Sequence, residues 1–221
     1  MSQAQWTDVD RYFSEQLVPH DPALEAALKT SADAGLPSIS VSPNQGRLLH
    51  LLARLQGARK ILEIGTLGGY SAIWLARALP EDGRLVTLEA VAKHARVAEA
   101  NIANAGLAEV VEVRVGAALE TLPKLAEDGH GPFDLTFIDA DKENVPEYFR
   151  WALELSHPGS VVIVDNVVRG GAVSDAAATD PDVRGIRRFI ELLAAEPRVS
   201  ATAVQTVGVK GWDGFAIARI N

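Results

Sequence analysis

The spacing of apolar residues changes once along the chain. Through residue 57 it is helical: Val9, Tyr12, Phe13, Gln16 and Leu17 fall on one stripe. Asp21-Pro22 reads as a cap with proline at the first helical position, leading a run to about Ala34 that Gly35 and Pro37 break. Ser42-Pro43-Asn44-Gln45 reads as a capping box for a third helix through Leu48, Leu49, Leu51, Leu52 and Leu55 to Gly57. Three short helices bury little by themselves, so this leader is expected to cover something else.

From Ala58 onward short apolar runs alternate with helical ones. Strands are expected at 60–64, 84–89, 110–115, 133–138 and 160–165, with helices at about 71–79, 91–105, 118–127 and 145–155 between them. The run Val110 to Val115 alternates apolar and polar residues, which suits a strand near an edge, whereas 133–138 and 160–165 are apolar nearly throughout, as buried parallel strands are. A helix near 182–195 and two strands at about 199–207 and 213–220 follow, with Lys210-Gly211-Trp212 between the strands as a hairpin turn. The alternation predicts an α/β protein with a doubly wound, Rossmann-like parallel sheet and helices on both faces. With no repeat or linker, 1–221 reads as a single domain, 1–57 forming the N-terminal helical cover and 58–221 the core.

The stretch Lys60 to Ser71 carries the first chemical signal. An apolar strand interrupted by Glu63 runs into Gly65, Gly68 and Gly69 and then into a helix, the arrangement that brings backbone against a nucleotide-like ligand. A dinucleotide site would want G-x-G-x-x-G; here the pattern is E-x-G-x-x-x-G-Y-S, with Leu67 where the second glycine would stand. Glu89 ends the next strand, where an acidic residue can grip ribose hydroxyls.

Two further strands end in acid. Phe133 to Ile138 runs into Asp139-Ala-Asp141-Lys142, and Ser160 to Val164 into Asp165-Asn166. As neighbours these strands would lie about 4.8 Å apart, and carboxylates that close repel unless one is protonated or a cation sits between them. Asp139, Asp165 and the amide oxygen of Asn166 form a hard oxygen set suited to Mg²⁺, Mn²⁺ or Ca²⁺. The plainer alternative is that both aspartates are caps or strand-end polar residues. Lys142 is either a base over the metal or a solvated lysine. Arg169 either holds an acidic substrate group or is simply exposed. The histidines at 20, 50, 94, 130 and 157 have no ligand spacing and read as structural or solvent-facing.

Composition narrows the field. The 221 residues are 48% hydrophobic with a net charge of −8, which disfavours nucleic acid as a partner. The absence of cysteine removes disulfides, thiolate catalysis and zinc-thiolate or iron–sulfur sites. The amino terminus lacks the features of a signal peptide and no apolar run reaches membrane-spanning length, so a cytoplasmic protein without membrane contact is expected.

Together these residues resemble the cation-dependent, S-adenosylmethionine-dependent O-methyltransferases, the family of catechol and caffeoyl-coenzyme A O-methyltransferases and small bacterial relatives. The resemblance runs from about Ile39 to Asn221. It is carried by Val41 with Ser42 through Gly46, by Glu63 to Ser71, by Glu89, by Gly116 to Leu119, and most specifically by Asp139-Ala-Asp141-Lys142 with Asp165-Asn166. It implies a seven-stranded sheet with its last strand antiparallel, and commonly a homodimer. For S-adenosylmethionine it places Val41, Glu63, Gly65, Thr66 and Ser71 by the methionine end, Glu89 on the ribose and Ala118 by the adenine. Asp139, also near the cofactor, would ligate a divalent cation with Asp165 and Asn166, and Lys142 would be the base. The implied acceptor is a small aromatic with vicinal hydroxyls. Its pKa of about 10 makes a phenol a poor nucleophile at neutral pH until a metal stabilises the phenolate. The loop 167–180, rich in Gly and Ala, departs from the aromatic substrate loop of the plant relatives, leaving acceptor identity open. Two rival readings stand beside this one: a phosphatase-like hydrolase using Asp139 and Asp141, and a non-catalytic S-adenosylmethionine-binding protein.

Overall fold

A computed structural model describes residues 2–221. The leader forms α1 (Gln3–Leu17), α2 (Pro22–Asp33) and α3 (Pro43–Gln56). Strands and helices then alternate: β1 (Lys60–Ile64), α4 (Tyr70–Ala76), β2 (Arg84–Glu89), α5 (Ala92–Asn104), β3 (Val111–Val115), α6 (Ala118–Glu127), β4 (Phe133–Ile138), α7 (Val145–Glu154) and β5 (Ser156–Asp165). The chain closes with α8 (Pro181–Ala195), β6 (Val199–Gly208) and β7 (Gly211–Ile220). One seven-stranded sheet has the order β3-β2-β1-β4-β5-β7-β6, with β7 antiparallel to both its neighbours. As the alternating pattern of β3 predicts, that strand is an edge.

Side-chain alternation along the strands builds two apolar layers. Leu62, Ile64, Leu88, Ile138 and Val164 face one side, packed with Phe149 of α7 and Phe189 of α8, whose rings meet edge-on at 5.3 Å. Ile61, Leu85, Leu135, Phe137 and Ile163 face the other, under α2 to α5. At about 25 cal/mol per Å² of buried apolar surface, these two layers are the main source of stability.

Several boundaries differ from expectation. The first core helix ends at Ala76, short of Leu79. β5 starts at Ser156, so Pro158-Gly159 lies inside the strand instead of before it. The register with β4 slips there, Phe133 pairing Ser156 but Leu135 pairing Val161. Ser160 Oγ fills the gap, donating to Phe133 O at 2.7 Å and accepting from His157 N at 3.1 Å. A bulge tolerates proline and glycine where a regular ladder would not. The hairpin turn is Val209-Lys210; Gly211 and Trp212 already pair with Gly208 and Val207. Gly211 has φ +95°, a left-handed position beside the turn that glycine adopts without strain.

The leader covers the core unevenly. α2 and α3 pack on α4, and α2 also on α5. α1 buries none of its residues, and Val9, Tyr12, Phe13 and Leu17 remain exposed. Its polar residues grip the hairpin: Gln3 Nε2 donates to Gly208 O at 2.9 Å, and Asp10 Oδ2 accepts from Val209 N at 2.7 Å.

A buried amide ties the glycine turn to the leader. Asn101 of α5 donates through Nδ2 to Gly68 O at 2.9 Å and to Ala27 O of α2 at 3.3 Å. An apolar residue there would leave the Gly68 carbonyl without this donor, at about 1–3 kcal/mol, while Ala27 O keeps Ser31 Oγ at 2.7 Å. Asn101→Leu is expected to lower the urea midpoint accordingly at unchanged slope; a variant as stable as the parent would show that the amide ties nothing down.

Candidate functional site

The carboxyl ends of β1, β4 and β5 meet at one rim, where open α/β sheets bind ligands. Gly65 leaves β1 at φ +104°, and a Cβ there would stand 2.1 Å from Asp139 O, so a side chain is excluded where the two strand ends touch. The next residues turn tightly, with Leu67 at φ +49°, a strained position for a non-glycine residue. Glu89 holds the turn: Oε2 accepts from Leu67 N at 2.8 Å and Oε1 from Val91 N at 2.9 Å. Glu89 also lines a cavity of about 530 Å³, together with Val41, Gly65, Thr66, Ser71, Ala118, Asp139 and Lys142. His94 lines this cavity too, 3.5 Å from Glu89 Oε1, a placement its sequence context did not suggest.

Glu63 is fully buried on the face of β1 that looks toward α4. Its Oε2 accepts from Thr87 Oγ1 at 2.6 Å, and Thr87 lies 2.6 Å from Thr66 Oγ1. Thr87 donates to the carboxylate, so Thr66 must donate to Thr87, and the relay has one direction. Oε1 has no partner among the described residues. Burial pushes the Glu63 carboxyl up to about 7, against the lowering effect of Thr87 and Ser71. A buried carboxylate with a free oxygen suits a cationic ligand group.

Asp139 and Asp165 lie side by side, because β4 and β5 pair in parallel up to Ile138 and Val164. Asp165 is buried, and burial first, then the Asp139 carboxylate, pushes it up to about 7. Its oxygens are oriented by Asn166 N on Oδ1 at 2.9 Å and by Gln45 Nε2 on Oδ2 at 2.6 Å. Lys142 is buried, not solvated, and donates to Asp139 Oδ1 at 2.8 Å. Gly185 of α8 backs it so closely that a Cβ would stand 2.2 Å from Lys142 O. Asn166, at φ +59°, takes the left-handed conformation that asparagine tolerates. Among the described residues no three His, Cys, Asp or Glu side chains form a metal cluster. The donor set here is instead two carboxylates and an amide. Two like charges forced together in low dielectric fit a divalent cation, and the all-oxygen chemistry suits a hard one.

A second cavity of about 420 Å³ adjoins the first. Ile39, Ser40, Val41, Asp139, Asn166 and Arg169 line both. The second is walled further by Leu48, Val207 and Phe215, and by Asp165 and Gln45. Arg169 is neither free nor simply exposed: its guanidinium donates to Asp182 at 3.0 Å and its N–H to Asp213 at 3.1 Å. Asp141 is not an open partner for Asp139, since it accepts from Tyr148 Oη at 2.5 Å and Asn144 Nδ2 at 2.6 Å.

Val41, Gly65, Thr66, Ser71, Glu89, Ala118, Asp139, Lys142 and Asn166 thus line the first cavity and Asp165 the second, whereas Glu63 lines neither and is fully buried within β1. Sequence reasoning missed Gln45 and Thr87. Ser42 does cap α3 through Gln45 N, but the reciprocal half of the capping box is absent, because the Gln45 side chain goes to Asp165. Thr87 had one available signal: a lone hydroxyl in an otherwise apolar strand, in register with Glu63.

An O-methyltransferase family model matches residues 14–219. A catechol O-methyltransferase of Niastella koreensis is 55% identical over 213 residues, 96% of each chain. The O-methyltransferase of Bacillus cereus solved in complex with SAH superposes with TM-score 0.98 at 58% identity over the whole of both chains. TomG of Streptomyces achromogenes, an O-methyltransferase involved in tomaymycin synthesis and solved in complex with SAM, gives TM-score 0.97 at 56% identity, covering 100% of this chain and 99% of its own. The rim of glycine turn and acidic strand ends thus sits in a chain that belongs to the O-methyltransferase family and is an S-adenosylmethionine-dependent enzyme.

Proposed function

We propose that the protein transfers a methyl group from S-adenosylmethionine to one hydroxyl of a catechol-like, vicinal dihydroxy aromatic, with a divalent cation, Mg²⁺ before Mn²⁺ or Ca²⁺, held by Asp139, Asp165 and Asn166. The observation that carries this reading is the wall common to the two cavities, in which Asp139 and Asn166 face both. Donor and acceptor can then meet across one pair of side chains, and positioning of this kind supplies much of a displacement's acceleration. A catechol O-methyltransferase among the relatives supports the acceptor class.

The roles follow from placement. Val41, Gly65, Thr66 and Ser71 line the donor's methionine end, with the unpaired oxygen of the buried Glu63 as the acceptor for its ammonium; Glu89 takes the ribose, and Ala118 flanks the adenine. A bound divalent cation supplies Lewis-acid stabilisation of the acceptor oxygen as it loses its proton. Lys142, whose Nζ lies 2.8 Å from Asp139 Oδ1, is the base that takes that proton. The phenolate oxygen then attacks the methyl carbon in line, and the sulfur leaves with the bonding pair. The contact of Gln45 of α3 with Asp165 supports a single domain that includes residues 1–57. A homodimer accounts for the exposed stripe of α1, which includes Tyr12 and Phe13.

Three expected outcomes test this. Asp165→Ala should lower catechol turnover at least about 100-fold while calorimetric affinity for S-adenosylmethionine stays within about threefold, and EDTA should reproduce the loss in the parent. Turnover indifferent to both would remove the metal. Glu63 carries a stability signature as well. Its carboxyl is raised in the folded state, so the fold binds a proton that the unfolded chain has lost, and stability falls as pH rises from about 4.5 to about 7. The ligand-free Glu63→Gln variant should therefore gain stability relative to the parent between pH 5 and pH 8, by up to about 3 kcal/mol; an equal difference at both pH values would refute the assignment. Light scattering should give twice the chain mass for the parent and a single chain for Phe13→Glu; a monomeric parent would exclude the dimer.

A further inference from the structure

The acceptor cavity has a wall that the methyl-transfer chemistry does not use. Phe215 of β7 pairs with Asp165 at the end of β5, yet β7 extends back to Gly211, a rise of about 13 Å along the strand. The β6–β7 hairpin therefore overshoots the sheet and stands beside the second cavity, to which Thr206, Val207, Gly208, Lys210 and Gly211 contribute. The tip is fixed in place. Asp10 Oδ2 accepts from Val209 N at 2.7 Å, and a Cβ on Gly208 would stand 2.2 Å from that oxygen. Asp10 Oδ1 is taken by Asn44 Nδ2 of α3 at 2.9 Å.

Charge around this wall is unequally matched. The Asp10 carboxylate is occupied on both oxygens, and Asp213 accepts the N–H groups of Val168 and Arg169. Of the cations lining the cavity, Arg169 is paired with Asp182. Lys210 has no carboxylate within 4 Å among the described residues; its Nζ rests on one neutral acceptor, Ser38 O, at 3.2 Å. Ser38 lines the same cavity. An ammonium so placed can donate a charge-assisted hydrogen bond to an anionic group on the ligand, and it repels a ligand ammonium at the same end.

We propose that Lys210 is a specificity-determining residue and that the preferred acceptors are vicinal dihydroxy aromatics carrying a carboxylate on a short side chain. The hydroxyl pair then lies at Asp139, Asp165 and Asn166, and the side chain runs along β7 toward the hairpin tip. This rests on the catechol reading above and adds to it the charge at the other end of the ring.

The test compares three acceptors that share one ring, catechols bearing an ethyl, a carboxyethyl or an aminoethyl group, assayed with labelled S-adenosylmethionine. The parent enzyme should favour the acid over the ethyl compound in kcat/KM and disfavour the amine. Lys210→Met should lower the acid-to-ethyl ratio about tenfold, the size of one charge-assisted hydrogen bond. Lys210→Arg should keep most of the ratio, and Lys210→Glu should turn the preference toward the amine. A parent with no preference for the acid overturns the proposal. So does a Lys210→Met variant that loses all three acceptors in proportion, since the lysine would then be only a latch on Ser38. If none of the three is methylated, the catechol reading fails and the proposal falls with it, an outcome distinct from methylation without selectivity.

Discussion

The side-by-side placement of Asp139 and Asp165 is the constraint on which the rest of the site depends. Parallel pairing of β4 with β5 leaves no freedom to separate them, since strand spacing sets the distance between the chain ends. Two carboxylates at that separation, one of them buried, cannot both be charged without a compensating cation. The nearby polar groups act on this problem. Lys142 donates to Asp139, Gln45 and the Asn166 amide donate to Asp165, and Gly185 keeps α8 close behind Lys142. Each donor comes from a different element, so folding assembles a pocket of negative potential that no local segment could hold.

A second buried acid is managed differently. Glu63 is met by two hydroxyls in series and leaves one oxygen unpaired. That oxygen disfavours the ionised ligand-free state, so the carboxylate raises the cost of folding as pH rises toward about 7, a cost that the cationic ligand group proposed above would relieve. The glycine turn beside it is held from both sides, by Glu89 on the Leu67 amide and by Asn101 on the Gly68 carbonyl. Strain at Leu67 persists because those two contacts over-determine the turn.

The sequence made the alternating core legible because strand and helix periods are local properties. β1, β2 and β4 have the expected ends, and the acids closing β4 and β5 could be placed at one rim from the parallel topology alone. Contacts between distant segments were hidden. The bulge that draws His157 to Gly159 into β5 depends on Ser160 reaching Phe133 across the strand pair. Gln45 carried a capping signature, and half of it is real, but its side chain was claimed by a carboxylate 120 residues away. Lys142 reads as either a base or a solvated lysine, and α8 laid over it removes the second reading. In each case a tertiary partner outcompeted the local assignment.

The leader is therefore more than a lid over apolar surface. α3 supplies Gln45 to Asp165 and Asn44 to Asp10, while α1, which buries no residue of its own, clamps the β6–β7 turn through Gln3 and Asp10. With Trp6 only half-buried and no residue fully so, α1 contributes modest hydrophobic stability and adds the geometry of the hairpin and the apolar stripe it presents outward. The sheet fixes where the acids stand. The wall opposite them is built from the leader and the hairpin, held by a few hydrogen bonds that one substitution can redirect. Contacts of that wall such as Lys210 on Ser38 lie on other elements than the carboxylate pair and can change without disturbing it.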